Sequence, residues 1–207
     1  MRHRASLDIF HYWDQLRGAA DAPLRADISP ASIRHILPDL FILEAGANEA
    51  PHFRLAGTSI CSMFGRELRE ESFASLWAED QRDEPVKISE QVMAQVVPTM
   101  VNATGYSLDG RQMAFEMILL PLRSSPEVCD RLLGSLAPVE TAVWLSADPL
   151  KCLELDRSRI LVPRAPPGET PQASGGATRS IAAASERVAS AMRRVFGGKT
   201  ALGGGAR

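Results

Sequence analysis

At 207 residues the chain is long enough for one domain with extensions, and its 45% apolar content is that of an ordinary globular protein. With 23 basic and 25 acidic side chains the formal charge is -2, which gives no whole-molecule reason to seek nucleic acid or another polyanion. The start MRHRASLDIF predicts no signal peptide, the most apolar run is only MILLPL, and Cys61, Cys129 and Cys152 form neither a CxxC pair nor a disulfide framework, so a cytoplasmic protein with reduced thiols is expected.

Residues 6–17, SLDIFHYWDQLR, predict a helix capped by Ser6 and ended by Gly18. Leu7, Phe10, Trp13 and Leu16 recur every third residue as its apolar stripe. Ser29, Pro30 and Pro38 punctuate a second helix, ASIRHIL. LFILEA (40–45) and HFRLA (52–56), separated by GANEAP, predict an antiparallel hairpin with Phe53 and Leu55 facing one way and His52 and Arg54 the other. Thr58 can cap a short helix reaching Phe64, and Phe73, Leu76 and Trp77 mark another brief one. Pro85 to Val97 is a longer helix ended by Pro98.

TMVNATGYSL (99–108) and RQMAFEMILLPL (111–122) flank Asp109-Gly110, the strongest short-range hairpin signal because both turn residues tolerate positive φ. Gly105 marks a candidate bulge in the first of these strands. RLLGSLAPVETAVWL (131–145) adds a further strand, interrupted near Gly134 and Pro138. Two strands, several helices and then three strands predict an α+β fold: an antiparallel sheet with helices gathered on one face, not parallel βαβ crossovers.

Past Pro163, RAPPGETPQASGGA has no means of building a core and predicts a flexible linker. TRSIAAASERVASAMRRVF (178–196) regains helical periodicity, with Ile181, Val188 and Met192 surrounded by arginines. A basic amphipathic helix of this kind suits docking on a partner, or weak contact with an acidic membrane surface given its small apolar payload. No recognition motif supports nucleic-acid binding.

The opening helix with Trp13, then DISPASIRHILPDLFILE, FRLAGTSICSMFGREL, FASLW, ILLPL and RLLGSLAP together resemble a family of bacterial PAS-domain proteins, seen mostly in alphaproteobacteria, over roughly residues 7–145. The resemblance implies a PAS-like five-stranded antiparallel sheet with short helices on one face and an N-terminal helical cap. It implies a non-catalytic sensor or adaptor that binds a small molecule, a protein partner or both, but brings no particular ligand. The expected divisions are a cap over 1–38, a PAS-like domain over 39–145, an extension over 146–163, the linker over 164–177, and the basic helix with a loose tail over 178–207. PAS-like domains often pair through their N-terminal helices. Phe10, Trp13 and Leu16 are therefore expected either to cover the chain's own sheet or to form the interface of a homodimer.

The functional candidates gather around HFRLAGTSICSMFG. Phe53, Leu55 and Gly57 line a ligand cavity between sheet and helices, or they fill the core while Gly57 permits a bend. Cys61, Phe64, Met93, Asn102, Tyr106, Phe115 and Glu116 complete the expected ligand-binding set. Glu116, an acid inside an apolar strand, orients a ligand, pairs with Arg54 or Arg111, or faces solvent, with Asn102 and Tyr106 as neighbouring polar tips.

A nucleophilic Cys61 needs a nearby base and a lowered pKa, and His52, alternating with Phe53, is expected at the solvent side. A cysteine enzyme is thus the weakest reading, behind a sensor or adaptor and a ligand-free interaction module. His3, His11, His35 and His52 show no metal-ligand spacing. The helix PVKISEQVMAQVV lacks the histidine that familiar haem-binding sensors place there, and no Asn-Cys-Arg-type stretch of a flavin photosensor occurs. The sequence therefore argues against haem and flavin and leaves the cofactor unassigned.

Overall fold

In the computed structural model Leu40–Glu44 (β1), His52–Ala56 (β2), Thr99–Ser107 (β3), Gln112–Leu122 (β4), Arg131–Pro138 (β5) and Leu150–Ile160 (β6) form one antiparallel sheet, ordered β2-β1-β5-β4-β3-β6. The structure describes residues 1–162 except Arg2, Asn48 and Ala142, and not the side chain of Ser146. The linker and basic helix expected beyond residue 163 lie outside the described residues.

Both expected hairpins form, and the two strand clusters share the sheet. The β3–β4 turn places Gly110 at φ +83°, where a residue without Cβ carries no steric penalty. Gly105 does not mark a bulge in that pair, which runs in unbroken register; a Cβ there would meet the Phe115 ring at 2.5 Å. The sheet has six strands, not five. The sixth was hidden because β6 is an edge strand rich in charge (Lys151, Glu154, Asp156, Arg157, Arg159), and two register shifts against β3 break its alternation.

Helices lie on both faces of the sheet, not one. Thr58–Phe64 (α2) and Asp83–Gln95 (α3) cover one face, with a 3-10 turn at Phe73–Leu76. There Phe41, Phe53, Val101, Phe115, Met117 and Leu136 meet Ile60, Phe64, Val92 and Trp77. The opposite face is covered over β1, β5 and β4 by Arg4–Arg17 (α1) and the segment after it, around Leu40, Ile42, Ile118, Leu120 and Leu133.

α1 begins two residues before the expected Ser6 cap. His3 is the N-cap, its Nδ1 accepting from Ala5 N–H, and Ser6 is wholly buried. The helix expected after Ser29 is instead a series of i+3 turns, ending in a 3-10 turn at Leu37–Asp39. Its buried Ile33 and Ile36 stand three apart, which suits that tighter winding. The Ser29 N–H donates to the Tyr12 hydroxyl at 2.7 Å, tying this segment to α1.

Candidate functional site

The face covered by α2 and α3 carries the larger of the two buried apolar clusters. Its floor is aromatic: Phe41 meets Phe53 edge-on at 5.6 Å between centroids, Phe53 meets Phe73 at 6.1 Å, and Phe73 meets Trp77 at 5.8 Å and 75°. Such pairs each contribute about 0.5–1.5 kcal/mol beyond burial. Within this apolar layer the Trp77 indole N–H, on a residue 1% exposed, has no hydrogen-bond partner. No periodic signal marked Trp77 as functional, since a tryptophan at a helical turn is usually core.

The structure does not gather the ten sequence-predicted ligand residues at one place. Phe53, Phe64, Met93 and Phe115 are buried in the helix-covered layer, and Cys61 packs half-buried against it. Leu55 does not share Phe53's side and is 43% exposed. Ile42 pairs with Leu55 while the next residue, Leu43, pairs with Phe53, so Arg54 is the extra residue of a bulge and the alternation slips. Gly57 lines no cavity. It precedes α2, and a Cβ on it would strike the backbone carbonyls of Leu37 and Pro38.

Asn102, Tyr106 and Glu116 lie on the other face. Along β3 Asn102 and Tyr106 share the side of Met100, and Glu116, the cross-strand partner of Asn102, shares the side of Ile118 on β4; both belong to the α1 layer, whereas Val101 and Ala103 face α2 and α3. Asn102 Oδ1 accepts from Arg157 Nε at 3.2 Å, and the Thr104 hydroxyl donates to Asp156 at 3.1 Å. Tyr106 completes the ladder beside Glu154; desolvation, then the charge and hydrogen bond of Glu154, push its hydroxyl above the ordinary tyrosine value. Glu116 faces neither solvent nor the expected arginines. It is 2% exposed beneath the start of α1, where Oε1 accepts from the His3 N–H at 3.2 Å. Arg54 bonds Glu44 and Glu70 instead, and Arg111 stands 3.9 Å from Asp148.

Trp13 is consumed within the chain. Its ring is fully buried and its N–H donates to the Pro121 carbonyl at 2.8 Å, which removes it from any surface between copies. Phe10 and Leu16 are half-buried beside it.

The thiols are poorly placed for nucleophilic chemistry. Burial is the largest cause raising Cys61, and the Glu67 carboxylate 3.5 Å from its Sγ raises it further, opposing the thiolate. Burial likewise raises Cys152, and it pushes Cys129 up to about 11. Among the described residues no group of three or more His, Cys, Asp or Glu side chains is placed to hold a metal ion, and no helix is long and apolar enough to cross a membrane.

An open cleft of about 670 Å³ lies at the β1–β2 hairpin, lined by Glu44, His52 and Arg54 among others. Its Glu44 is engaged in ion pairs: Oε2 binds Arg54 Nε at 2.9 Å and Oε1 binds Arg131 at 3.1 Å. Such half-exposed pairs contribute little.

Similar solved structures include the light state of the blue-light photoreceptor Aureochrome1 LOV (TM-score 0.42, 14% identity, covering 58% of this chain and 94% of that one). The Rhodobacter sphaeroides LOV protein matches at TM-score 0.42 and 15% identity, over 51% of this chain and 61% of that one. An RNA-binding light-oxygen-voltage receptor matches at 0.43 and 16%, over 56% and 35%. Among curated proteins no match was found. The sequence argues against flavin, whereas these neighbours are LOV photoreceptor domains, one of them described with a flavin analogue; that is a property of those proteins. The family model for the PAS domain matches residues 1–137. The chain therefore belongs to the PAS-domain family, a sensory and signalling class that is typically non-catalytic.

Proposed function

We propose that the chain is a non-catalytic sensory module that takes a small molecule into its helix-covered face and passes the change to a separate signalling partner. The observation that carries this reading is the Trp77 N–H, buried in an apolar layer without an acceptor. A buried donor left unpaired costs about 1–3 kcal/mol, and an acceptor on a ligand would recover it. A flavin ring carbonyl is one such acceptor. Trp77 would hold that carbonyl, the neighbouring Phe53 and Phe73 would supply apolar contact, and a bound flavin would supply blue-light absorption. Phe53, Phe64, Met93 and Phe115 stay in the proposed ligand-binding set; Asn102, Tyr106 and Glu116 leave it, being on the other face.

Native mass spectrometry and visible absorbance of the full chain test this. Mass beyond the polypeptide, lost in Trp77→Phe while far-ultraviolet circular dichroism is kept, is expected. A bare polypeptide mass with no visible absorbance overturns the ligand.

A second reading, a pairing module without ligand, is favoured by two rings. Phe41 and Phe115 occupy the space that a Cβ at Gly134 and at Gly105 would need, so aromatic side chains already fill part of the floor. A bare mass together with capture of a partner by the full chain supports it.

The finer assignments travel with either reading. They are a cytoplasmic bacterial protein, of alphaproteobacterial type, acting as a homodimer, with a cap over 1–38, the sensory domain over 39–145 and its extension to 163. The linker over 164–177 and the basic segment over 178–207 serve docking on a partner or light membrane contact, not nucleic acid.

A further inference from the structure

The match to the PAS family ends at residue 137, yet residues past it are built into the layer under α2 and α3. Leu145, Leu150 and Leu153 are buried in the cluster that holds Phe53, Phe115 and Trp77. Register puts Leu153 there, because it pairs with Gly105 on the side of β3 that carries Val101 and Ala103. Gly105 has no side chain, so the Phe115 ring and Leu150 Cδ2 take that space, 2.5 Å and 3.0 Å from where a Cβ would stand. Pro149 does the same at the end of α2, its Cγ 2.9 Å from the place of a Cβ on Gly65.

β6 also grips the segment that carries Trp77. Trp77 and Leu153 form a parallel bridge, and the Ala78 N–H donates to the Leu153 carbonyl at 2.9 Å. Residues bridged in this way project to the same side, and both of these are buried in the one cluster. The surroundings hold no free charge for a ligand. Among the described residues no arginine, lysine or histidine is buried. The buried acids are engaged elsewhere, Glu116 under α1 and Asp148 on the Asp109 N–H at 3.2 Å. The hydroxyls of Ser89 and Ser107 are bonded to the Val86 carbonyl and the Arg111 N–H.

We propose that β6 is a wall of the ligand site and that Leu153 sets the size of what the site takes. The molecule lies between Trp77 and Leu153, and the part of it inside the layer is uncharged, a carbonyl on an apolar frame. This rests on the ligand reading above and adds that residues beyond the PAS match select the ligand.

Titration of the full chain with acetophenone and with isopropenylbenzene, the same frame without the carbonyl, tests the wall. A Leu→Ala hole in an apolar core stays dry and accepts a small aromatic molecule. Leu153→Ala is expected to bind acetophenone more tightly than isopropenylbenzene, by roughly two- to tenfold for one hydrogen bond. Adding Trp77→Phe is expected to abolish that preference. Leu120→Ala opens a similar hole in the α1 layer and is expected to favour the hydrocarbon. Leu153→Val, which leaves a smaller hole, is expected to rank the probes as Leu153→Ala does and replaces it if the alanine variant does not fold. The proposal is overturned if the Leu153 variant binds neither probe, if it ranks them as Leu120→Ala does, or if the preference survives Trp77→Phe. A bare wild-type mass together with the carbonyl preference overturns the resident ligand and supports the wall; bound mass in the wild type without that preference does the reverse.

Discussion

The Phe41 ring lies against the bare Cα of Gly134, in the space where a side chain on that residue would begin. The Ile118 carbonyl closes the same space from β4, at 2.8 Å from a Cβ there. Here the absence of a side chain serves close packing between a ring and a strand. Gly134→Ala is expected to destabilise the domain by about 1–3 kcal/mol or more, as overpacking in a filled core does. Gly57→Ala falls at the upper end, because its Cβ would meet two backbone carbonyls, which cannot rotate away. Urea unfolding followed by tryptophan fluorescence measures both.

The two faces of the sheet should respond differently to substitution. Phe115→Ala removes a fully buried ring and is expected to cost about 3–5 kcal/mol. Asn102→Ala and Tyr106→Phe interrupt half-exposed cross-strand contacts with β6. Each is expected to cost about 0.2–1 kcal/mol and to leave any bound small molecule in place. Unfolding midpoints and native masses of the three variants separate the faces. A large loss from Asn102→Ala, or release of bound mass by Tyr106→Phe, would contradict the assignment.

How far this arrangement was legible in the sequence depended on local signals being strong enough to survive tertiary context. Asp109-Gly110 dictated its hairpin because the turn chemistry is local. Phe53 and Phe115 were legible as inward residues for the same kind of reason. Leu55 was misassigned because a bulge at Arg54 shifts the alternation by one, and no residue type announces such a bulge. The faces of Asn102, Tyr106 and Glu116 were illegible for a different reason. Alternation says which residues share a side, but not which side receives α1 and which receives α2 and α3. The strand β6 escaped because edge strands carry charge and tolerate irregular register.

Trp13 links the N-terminal helix to the sheet through both area and a hydrogen bond. Trp13→Phe keeps most of the area but leaves the Pro121 carbonyl without its indole donor, an expected cost of about 1–3 kcal/mol. Trp13→Ala is expected to cost about 3–5 kcal/mol. Both losses should be independent of protein concentration, since the contact lies within one chain. A denaturation midpoint that shifts with concentration more in Trp13→Phe than in the wild type would place this residue between copies instead.

The thiols make a prediction about pH. Burial raises the Cys129 pKa from 9.0 to about 11, so the folded chain holds that proton more tightly than the unfolded chain does. Its contribution to stability is therefore fully present below pH 9.0 and is lost as the pH rises through about 11. Burial raises Cys61 and Cys152 in the same direction, which adds to the loss at high pH. In native protein near neutral pH all three thiols should alkylate more slowly than an ordinary free thiol, because the thiolate is the reacting form. Mass-resolved alkylation across a pH series checks both parts. The Cys129 rate should keep climbing beyond the pH at which a free thiol levels off, and Cys129→Ala should flatten the fall in stability between pH 9.0 and about 11. A Cys61 that reacts faster than a free thiol at neutral pH would return cysteine chemistry to consideration.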